Sequence, residues 1–83
     1  MPDHATRLYI GERIKTLRKA QQLTLQGLAD KLALTPQVIW LYEKGRIDLP
    51  STRLLQVAQA LNVQPGELYP ALSLVPEEVP THV

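Results

Sequence analysis

Apolar residues recur every three or four positions over the first quarter of the chain, with charged residues between them. This spacing is typical of one face of an amphipathic helix and predicts helix over residues 8–22. Pro2 and several polar residues precede the pattern, so residues 1–7 are expected to form a flexible arm. The apolar positions are Leu8, Ile10, Ile14, Leu17 and the small Ala20.

Two shorter helical patterns follow, each introduced by a threonine. Thr24 precedes an apolar stripe that predicts helix over residues 25–32, and Thr35 precedes a proline that opens a helix over residues 36–44. A threonine hydroxyl accepts a hydrogen bond from a free amide of the first turn, and proline at the first helical position sacrifices no useful amide. Gly45 then supplies the left-handed residue that commonly closes a helix.

The second half of the chain predicts two further helices and a tail. Apolar spacing and the prolines at two starting positions favour helices over residues 50–62 and 65–69. Residues 73–83 contain two prolines, two adjacent glutamates and no helical period, so they are expected to be extended or disordered. The predicted fold class is all-α, a compact bundle of five short helices forming one domain over residues 8–72.

Composition narrows the classes of protein that fit. With 83 residues, 45% of them hydrophobic, the chain suffices for one small core. The absence of cysteine excludes disulfides and thiolate zinc sites. No apolar run has the length of a signal peptide core or a membrane span, so a cytoplasmic location is expected. Histidine, acidic and hydroxyl residues form no metal-binding or catalytic arrangement, so no metal, no cofactor, no small-molecule ligand and no enzymatic activity are predicted.

Charge is distributed unevenly along the sequence. The formal net charge is only +1, a weak signal for a nucleic-acid-binding protein. Eight of the nine basic residues nevertheless lie within the first 46 positions, whereas the acidic residues beyond position 50 are Glu67, Glu77 and Glu78. The first half is therefore interpreted as the half that attracts an anionic partner.

The two short helices over residues 25–32 and 36–44 bury little surface by themselves, which indicates a functional supersecondary unit, the helix-turn-helix. In order and spacing, the chain from Ile10 to Tyr69 resembles the Cro and phage-repressor type of this unit, the XRE family. The segments that carry the resemblance are IGERIKTLRKAQQLTLQGLADKL, LTPQVIWLYEKGR and LPSTRLLQVAQALNVQPGELY. The resemblance implies a lambda-repressor-like fold whose third helix lies in the major groove of double-stranded DNA.

The third helix would then present its outward residues to base edges. If Val38, Ile39 and Tyr42 face the core, the outward residues include the candidates for base contacts, which are Pro36, Gln37, Trp40 and Leu41. The Gln37 amide can both donate to and accept from adenine, although a solvated glutamine is the simpler alternative.

Trp40 and Leu41 depart from the small or polar residues that are frequent in the family at these positions. Three alternatives follow from this departure. The two side chains contact thymine methyl groups, form a surface for a protein partner, or pack into the core.

Phosphate contacts are expected from cations after the third helix and from the free amides that begin the second helix. The full candidate set is Arg18, Thr24, Leu25, Gln26, Thr35, Lys44 and Arg46. Leu25 replaces a glutamine that is frequent in the family, so that side-chain phosphate contact is absent here, with partial replacement by Gln26 as the alternative. For Lys15, Lys19 and Lys31, phosphate contact and ordinary solvation both remain open.

The resemblance also implies a structural ion pair between Arg18 and Glu43, linking the first helix to the end of the third. Losing one member of a buried pair leaves the other charge uncompensated. The pair is therefore expected to hold the recognition helix in place.

The function implied is a sequence-specific regulator of transcription, a repressor that binds an inverted repeat as a homodimer and associates with the nucleoid when bound to DNA. Phage and plasmid repressors, restriction-modification controllers and antitoxins share this architecture. The candidate dimer interface is Leu68, Tyr69, Leu72, Leu74 and Val75, with closure of the monomer core as the alternative for these residues. The competing function is a protein-interaction module that uses Trp40 and Leu41 and binds DNA weakly or not at all.

Overall fold

The computed structural model describes residues 4–69, which form five α-helices and no strand. The helices are α1 (His4–Ala20), α2 (Leu25–Leu32), α3 (Pro36–Glu43), α4 (Ser51–Ala60) and α5 (Pro65–Leu68). The predicted all-α class and the number of helices in this range are confirmed. Over the same residues, no helix combines the length and the apolar character required to cross a bilayer.

The two threonines cap α2 and α3 as their positions predicted. Thr24 Oγ1 accepts a hydrogen bond from the Gly27 amide at 2.9 Å, and Thr35 Oγ1 accepts one from the Val38 amide at 3.3 Å. Each hydroxyl satisfies one amide that has no partner within its helix. The bounds of α2 agree with the prediction, and α3 ends one residue before the predicted position.

The first helix begins earlier than the apolar pattern indicated. It starts at His4, so the prediction of a flexible arm over residues 1–7 is wrong for residues 4–7. Arg7 Nε donates to the Gly45 carbonyl oxygen at 3.3 Å, and Arg7 Nη1 pairs with Asp48 Oδ1 at 3.1 Å. These polar contacts attach the first turns of α1 to the loop after α3, and the spacing of apolar residues gives no sign of them. The remaining arm residues and the predicted tail over 73–83 lie outside the described part of the chain, as do positions 70–72.

The ends of α1 to α4 share one stop signal. After each helix a residue adopts a positive φ of 58° to 67°, and the next amide donates to the carbonyl five residues earlier at 2.9–3.1 Å. This Schellman arrangement satisfies carbonyls left free at a helix end. The residues with positive φ are Gln22, Ala33, Gly45 and Asn62. Of these four residues, the sequence predicted a left-handed conformation for Gly45 alone. The left-handed Gln22 explains why α1 ends at Ala20, before the predicted residue 22.

The core is assembled from every helix. Helices α2 and α3 pack against each other, α1 packs against α3, and α5 closes the bundle against α1 and α4. Each fully buried leucine or isoleucine contributes about 1.5–3 kcal/mol relative to an exposed one. The buried apolar residues are Ile10, Ile14, Leu28, Ala29, Ile39, Tyr42, Leu54, Val57, Ala58, Leu61 and Leu68.

Leu68 was predicted to lie at a dimer interface, and that prediction is wrong. Its side chain is fully buried within the monomer. Helix α5 packs against α1 and α4 and turns this residue toward them, so Leu68 completes a small core. Tyr69 is half-buried and also packs against the core. Leu72, Leu74 and Val75 lie outside the described residues.

A close approach between α1 and α3 fixes the position of the third helix. Gly11 is buried, and a Cβ atom placed there would lie 2.5 Å from the Tyr42 carbonyl oxygen and would also overlap that of Glu43. No residue with a side chain fits this gap without separating the helices. The glycine therefore lets the backbone of α1 touch the C-terminal turn of α3.

Candidate nucleic-acid interface

Helix α3 divides into a buried face and an exposed stripe. At 100° per residue, Gln37, Trp40, Leu41 and Lys44 fall within an arc of about 100°. Gln37, Trp40 and Lys44 are exposed, and Leu41 is half-buried. The other face carries the buried residues Ile39, Tyr42 and Glu43, with Val38 half-buried against the core. Pro36, at the first position of the helix, is half-buried.

Trp40 stands on this stripe beside two cations. Its side chain is 38% exposed, which argues against the alternative that it packs into the core. Lys44 Nζ lies 5.8 Å and Arg46 Cζ 5.6 Å from the centroid of the indole ring. Both distances fall within the range of attraction between a cation and the face of an aromatic ring.

The close of α3 explains how both cations reach the same ring. Lys44 follows Trp40 by four residues and therefore lies one helical turn away on the same side. Arg46 would be on another side of a continued helix, but Gly45, with φ 67°, reverses the chain first. The Arg46 amide then donates to the Leu41 carbonyl at 3.0 Å, which brings Arg46 back toward the stripe. The glycine that ends the helix thus also assembles the cationic site.

Arg18 and Glu43 are brought together in the interior. Arg18 Nε donates to Glu43 Oε2 at 2.6 Å and Arg18 Nη2 to Oε1 at 3.1 Å, while Nη1 donates to the Leu23 carbonyl at 2.8 Å. Arg18 is 7% and Glu43 5% exposed. The bidentate, charge-assisted pair joins α1 to the last turn of α3. The bond to Leu23 joins α1 to the connection just before α2. These contacts use three of the five N–H donors of the guanidinium, and the predicted phosphate contact of Arg18 stays a prediction.

The first turn of α2 has backbone amides that are free to donate hydrogen bonds. The first backbone hydrogen bond of α2 runs from the Leu28 amide to the Thr24 carbonyl at 3.0 Å, so the amides of Leu25 and Gln26 precede the internal ladder. The Leu25 side chain packs against the core, and Gln26 Nε2 donates to Asp30 Oδ1 at 2.7 Å. An anion bound here would therefore contact the backbone amides and the positive end of the helix dipole more than these side chains.

Two further arginines of α1 act within the fold. Arg7 is bonded to the loop after α3, as described above, and Arg13 binds α5. Arg13 Nε donates to the Glu67 carbonyl oxygen at 2.8 Å, and Nη2 lies 3.4 Å from Glu67 Oε1. Two of the basic residues in the first half of the sequence therefore bind other parts of the fold through exposed ion pairs. Lys19 and Lys31 are exposed and Lys15 half-buried, so their phosphate contacts stay predictions.

Residues 4–69 contain no cluster of histidine and acidic side chains suited to a metal ion. The candidate interface consists of α3, the turn after it, and the first turn of α2. Its chemistry is that of backbone amides, the carboxamides of Gln26 and Gln37, and two cations around an indole.

Comparison with known proteins decides the family. A family model described as a helix-turn-helix domain matches residues 10–72. The chain belongs to the helix-turn-helix family. This confirms the resemblance drawn from the sequence, and the matched residues include α2 and α3.

Relatives of the domain are named as regulators. An uncharacterized HTH-type transcriptional regulator, y4aM, of Sinorhizobium fredii is 32% identical over 66 residues, which cover 80% of this chain and 46% of that protein. An uncharacterized transcriptional regulator in the ATPase CF(0) region of Rhodospirillum rubrum is 33% identical over 69 residues, covering 76% of this chain and 64% of the relative. The helix-turn-helix chain thus spans about half to two-thirds of the length of these relatives.

Solved structures share the architecture. The restriction-modification controller protein C.AhdI from Aeromonas hydrophila superposes with a TM-score of 0.75 at 29% identity, covering 78% of this chain and 98% of that one. The clp gene regulator ClgR from C. glutamicum gives 0.76 at 25% identity, covering 89% and 96% of the two chains. The proteins named in these comparisons are regulators, and none is named as an enzyme.

Some features of the interface were not recognised in the sequence. Gly11 followed an apolar residue within the α1 pattern, and a buried helical glycine was the available sign of a close helix contact. Ala33 gave no sign of its left-handed conformation, because alanine rarely adopts it. The grouping of the two cations on Trp40 depends on the turn at Gly45, which composition and periodicity do not describe.

Proposed function

We propose that this helix-turn-helix domain binds double-stranded DNA in a sequence-specific manner, with α3 in the major groove, and acts in regulating transcription. The observation that carries the proposal is the exposed stripe of α3, in which Gln37 and two cations are presented by a helix whose other face is anchored by Gly11, Arg18 and Glu43. A rigidly held helix with hydrogen-bonding and cationic groups matches the requirements of groove recognition.

Residue roles follow from position along the stripe. Gln37, near the start of α3, pairs through its carboxamide with an adenine edge. Pro36 and Leu41, both half-buried, supply apolar contact with neighbouring bases at the edge of the stripe. Trp40, the remaining predicted base contact, lies on the same stripe.

Phosphate contacts are proposed on both sides of the groove. On one side are Lys44 and Arg46, whose charges give affinity without sequence information. On the other are Thr24, Thr35 and the amides of Leu25 and Gln26, at the positive ends of α2 and α3. An interface of this kind releases counterions when it binds, so its affinity must fall with rising salt.

The finer proposal is a repressor that acts as a homodimer on an inverted repeat. One short recognition helix reads few base pairs, and a two-fold dimer doubles that number with half-sites about 10 bp apart. Dimer contacts are proposed for Tyr69, Leu72, Leu74 and Val75, without the buried Leu68. The likeness to a protein named as a restriction-modification controller supports a regulatory role, and a role on DNA would place the chain at the nucleoid.

The decisive experiment is selection of bound duplexes from a random library, followed by salt titration of the recovered sequence. We expect one palindromic sequence to be enriched, with an affinity that falls steeply as salt increases and resists competition by scrambled duplex. No measurable binding to any duplex at low salt would reject the DNA-binding proposal. Sedimentation of the complex checks the two-to-one stoichiometry, and a single copy per palindrome would reject the homodimer.

A second function rests on the exposure of Trp40 and the net charge of +1. In that case α3 would dock a protein partner and bind DNA weakly or not at all. Lys44 and Arg46 beside the ring count against an apolar docking patch, since such patches expose contiguous apolar area. Failure of the library selection, together with capture of a partner that is lost on substitution of Trp40, would favour this function.

A further inference from the structure

We propose that Trp40 is a positioning residue, which holds Lys44 and Arg46 for phosphate binding, and is not a reader of base edges. This inference rests on the proposed DNA-binding function and assigns Trp40 a different role from the apolar base contact expected of it. Its effect on binding would therefore be indifferent to the sequence of the DNA.

The geometry supports this assignment in two respects. Both cationic groups lie within 6 Å of the ring centroid, at 5.8 Å for Lys44 Nζ and 5.6 Å for Arg46 Cζ. Both cations also lie at the end of α3 and in the turn after it, at the opposite end of the helix from Gln37. The indole thus lies between the part of α3 suited to bases and the part suited to the backbone.

Without the ring, the two cations would be poorly placed together. Lysine and arginine have long side chains with many rotamers, and like charges held close to one another repel. The negative face of an indole attracts both cations and limits the orientations that each samples. Because less freedom remains to be lost on binding, the held cations contact phosphates at a smaller entropic cost.

The same arrangement makes direct base contact by Trp40 unfavourable. An indole that contacts thymine methyl groups gains most when its apolar surface is bare. Here two cations lie close to the ring, so its apolar surface is not bare. Base contact would require moving at least one of them, whereas phosphate contact uses the arrangement already present.

Two substitutions separate the roles when tested on the duplex recovered from library selection and on a scrambled duplex of equal length. Trp40→Leu keeps an apolar side chain without a ring, and Trp40→Phe keeps a weaker aromatic face. For Trp40→Leu we expect a loss of about fivefold to tenfold on both duplexes, to a similar factor. For Trp40→Phe the expected loss is about twofold on both. Thermal melting of each variant checks that the fold is retained.

A second measurement tests the coupling itself. In an Arg46→Ala and Lys44→Ala background the ring has no cations to hold, so Trp40→Leu should then change affinity by less than about twofold. An undiminished effect in that background would overturn the inference. So would a loss confined to the selected duplex, which identifies a base reader, or equal losses for Trp40→Leu and Trp40→Phe.

The outcomes also separate this inference from the function on which it rests. If the unaltered protein binds neither duplex at low salt, the DNA-binding proposal fails and this inference fails with it. If the unaltered protein binds and Trp40→Leu binds equally well, the inference alone is overturned.

Discussion

The two faces of α3 differ in how tightly their side chains are packed. On the inner face, α3 meets Gly11 of α1 at a distance that leaves no room for a methyl group, and Glu43 receives two hydrogen bonds from Arg18 in the interior. On the outer face, Gln37 and Lys44 are exposed, and the neighbour given for Lys44 is the indole of Trp40 on the same face. Each side chain on the inner face is constrained by atoms of another helix, whereas those on the outer face have solvent beside them.

The difference separates stability from recognition within one short helix. A change on the inner face alters packing or leaves a charge unpaired, and both effects lower the free energy of unfolding. A change on the outer face alters what the helix presents while the scaffold stays as it is. The following predictions test this separation, from the largest expected effect on stability to the smallest.

Glu43→Ala should have the largest effect, because it leaves the buried Arg18 guanidinium without its partner. We expect the free energy of unfolding to fall by about 3–5 kcal/mol, measured by urea or thermal denaturation followed by circular dichroism. DNA affinity should fall as well, since the end of α3 loses its anchor. Glu67→Ala is the matched control, because its exposed pair with Arg13 is worth about 0–1 kcal/mol. Equal effects of the two substitutions would contradict the structural role of the inner pair.

Gly11→Ala should separate α1 from α3. The added methyl group overlaps two backbone carbonyls, which cannot rotate away as a side chain would, and we expect a loss of about 1–3 kcal/mol. Gly27→Ala is the control, because a Cβ there meets only the Leu23 and Thr24 side chains at 3.3 Å. Its tight contacts oppose a gain in helix propensity, so a change within about 1 kcal/mol is expected. Denaturation curves in which Gly11→Ala is as stable as the unaltered chain would argue against the close contact.

Ala33→Gly should raise stability. Alanine in the left-handed conformation is strained by about 1–2 kcal/mol, and glycine removes this strain. Glycine also raises the conformational entropy of the unfolded chain, which offsets part of the gain in stability. A net gain of about 0.5–1 kcal/mol is expected in the same denaturation assay. Ala20→Gly, in the last turn of α1, should instead lose up to about 1 kcal/mol. A loss at both positions would show that the turn between α2 and α3 carries no relievable strain.

Gln37→Ala should leave stability within about 0.5 kcal/mol of the unaltered chain. Its affinity for the selected duplex should fall by about 1–3 kcal/mol, with little change for scrambled DNA. Gln56→Ala, on an exposed face of α4, is the control and should change neither quantity. If Gln37→Ala binds the selected duplex as tightly as the control does, direct readout by this side chain is excluded.

The sequence was most informative where local chemistry determines structure. Thr24 and Thr35 marked the starts of α2 and α3 because a capping hydroxyl acts on amides two or three residues away. Gly45 marked the end of α3 for a similarly local reason. Such signals depend on neighbours in the chain, so they can be recognised without the fold.

Features that depend on tertiary contacts were harder to predict. Helical structure over residues 4–7 accompanies contacts of Arg7 with Gly45 and Asp48, which lie about forty residues away in the sequence. The burial of Leu68 depends on how α5 meets α1 and α4, so an apolar residue near the chain end was equally consistent with a dimer interface. At the candidate site, sequence pattern separated the outward from the inward residues of α3, but it did not reveal that Arg46 returns to Trp40.

The position of Trp40 has a practical consequence for studying the protein. It is the single tryptophan of the chain, and it lies on the stripe proposed to meet DNA, beside two positive charges that a phosphate would approach. Its indole emission should therefore change when those charges acquire a new neighbour. The unmodified protein thus carries its own optical probe of the proposed interface, and rapid-mixing experiments can follow complex formation without an attached dye.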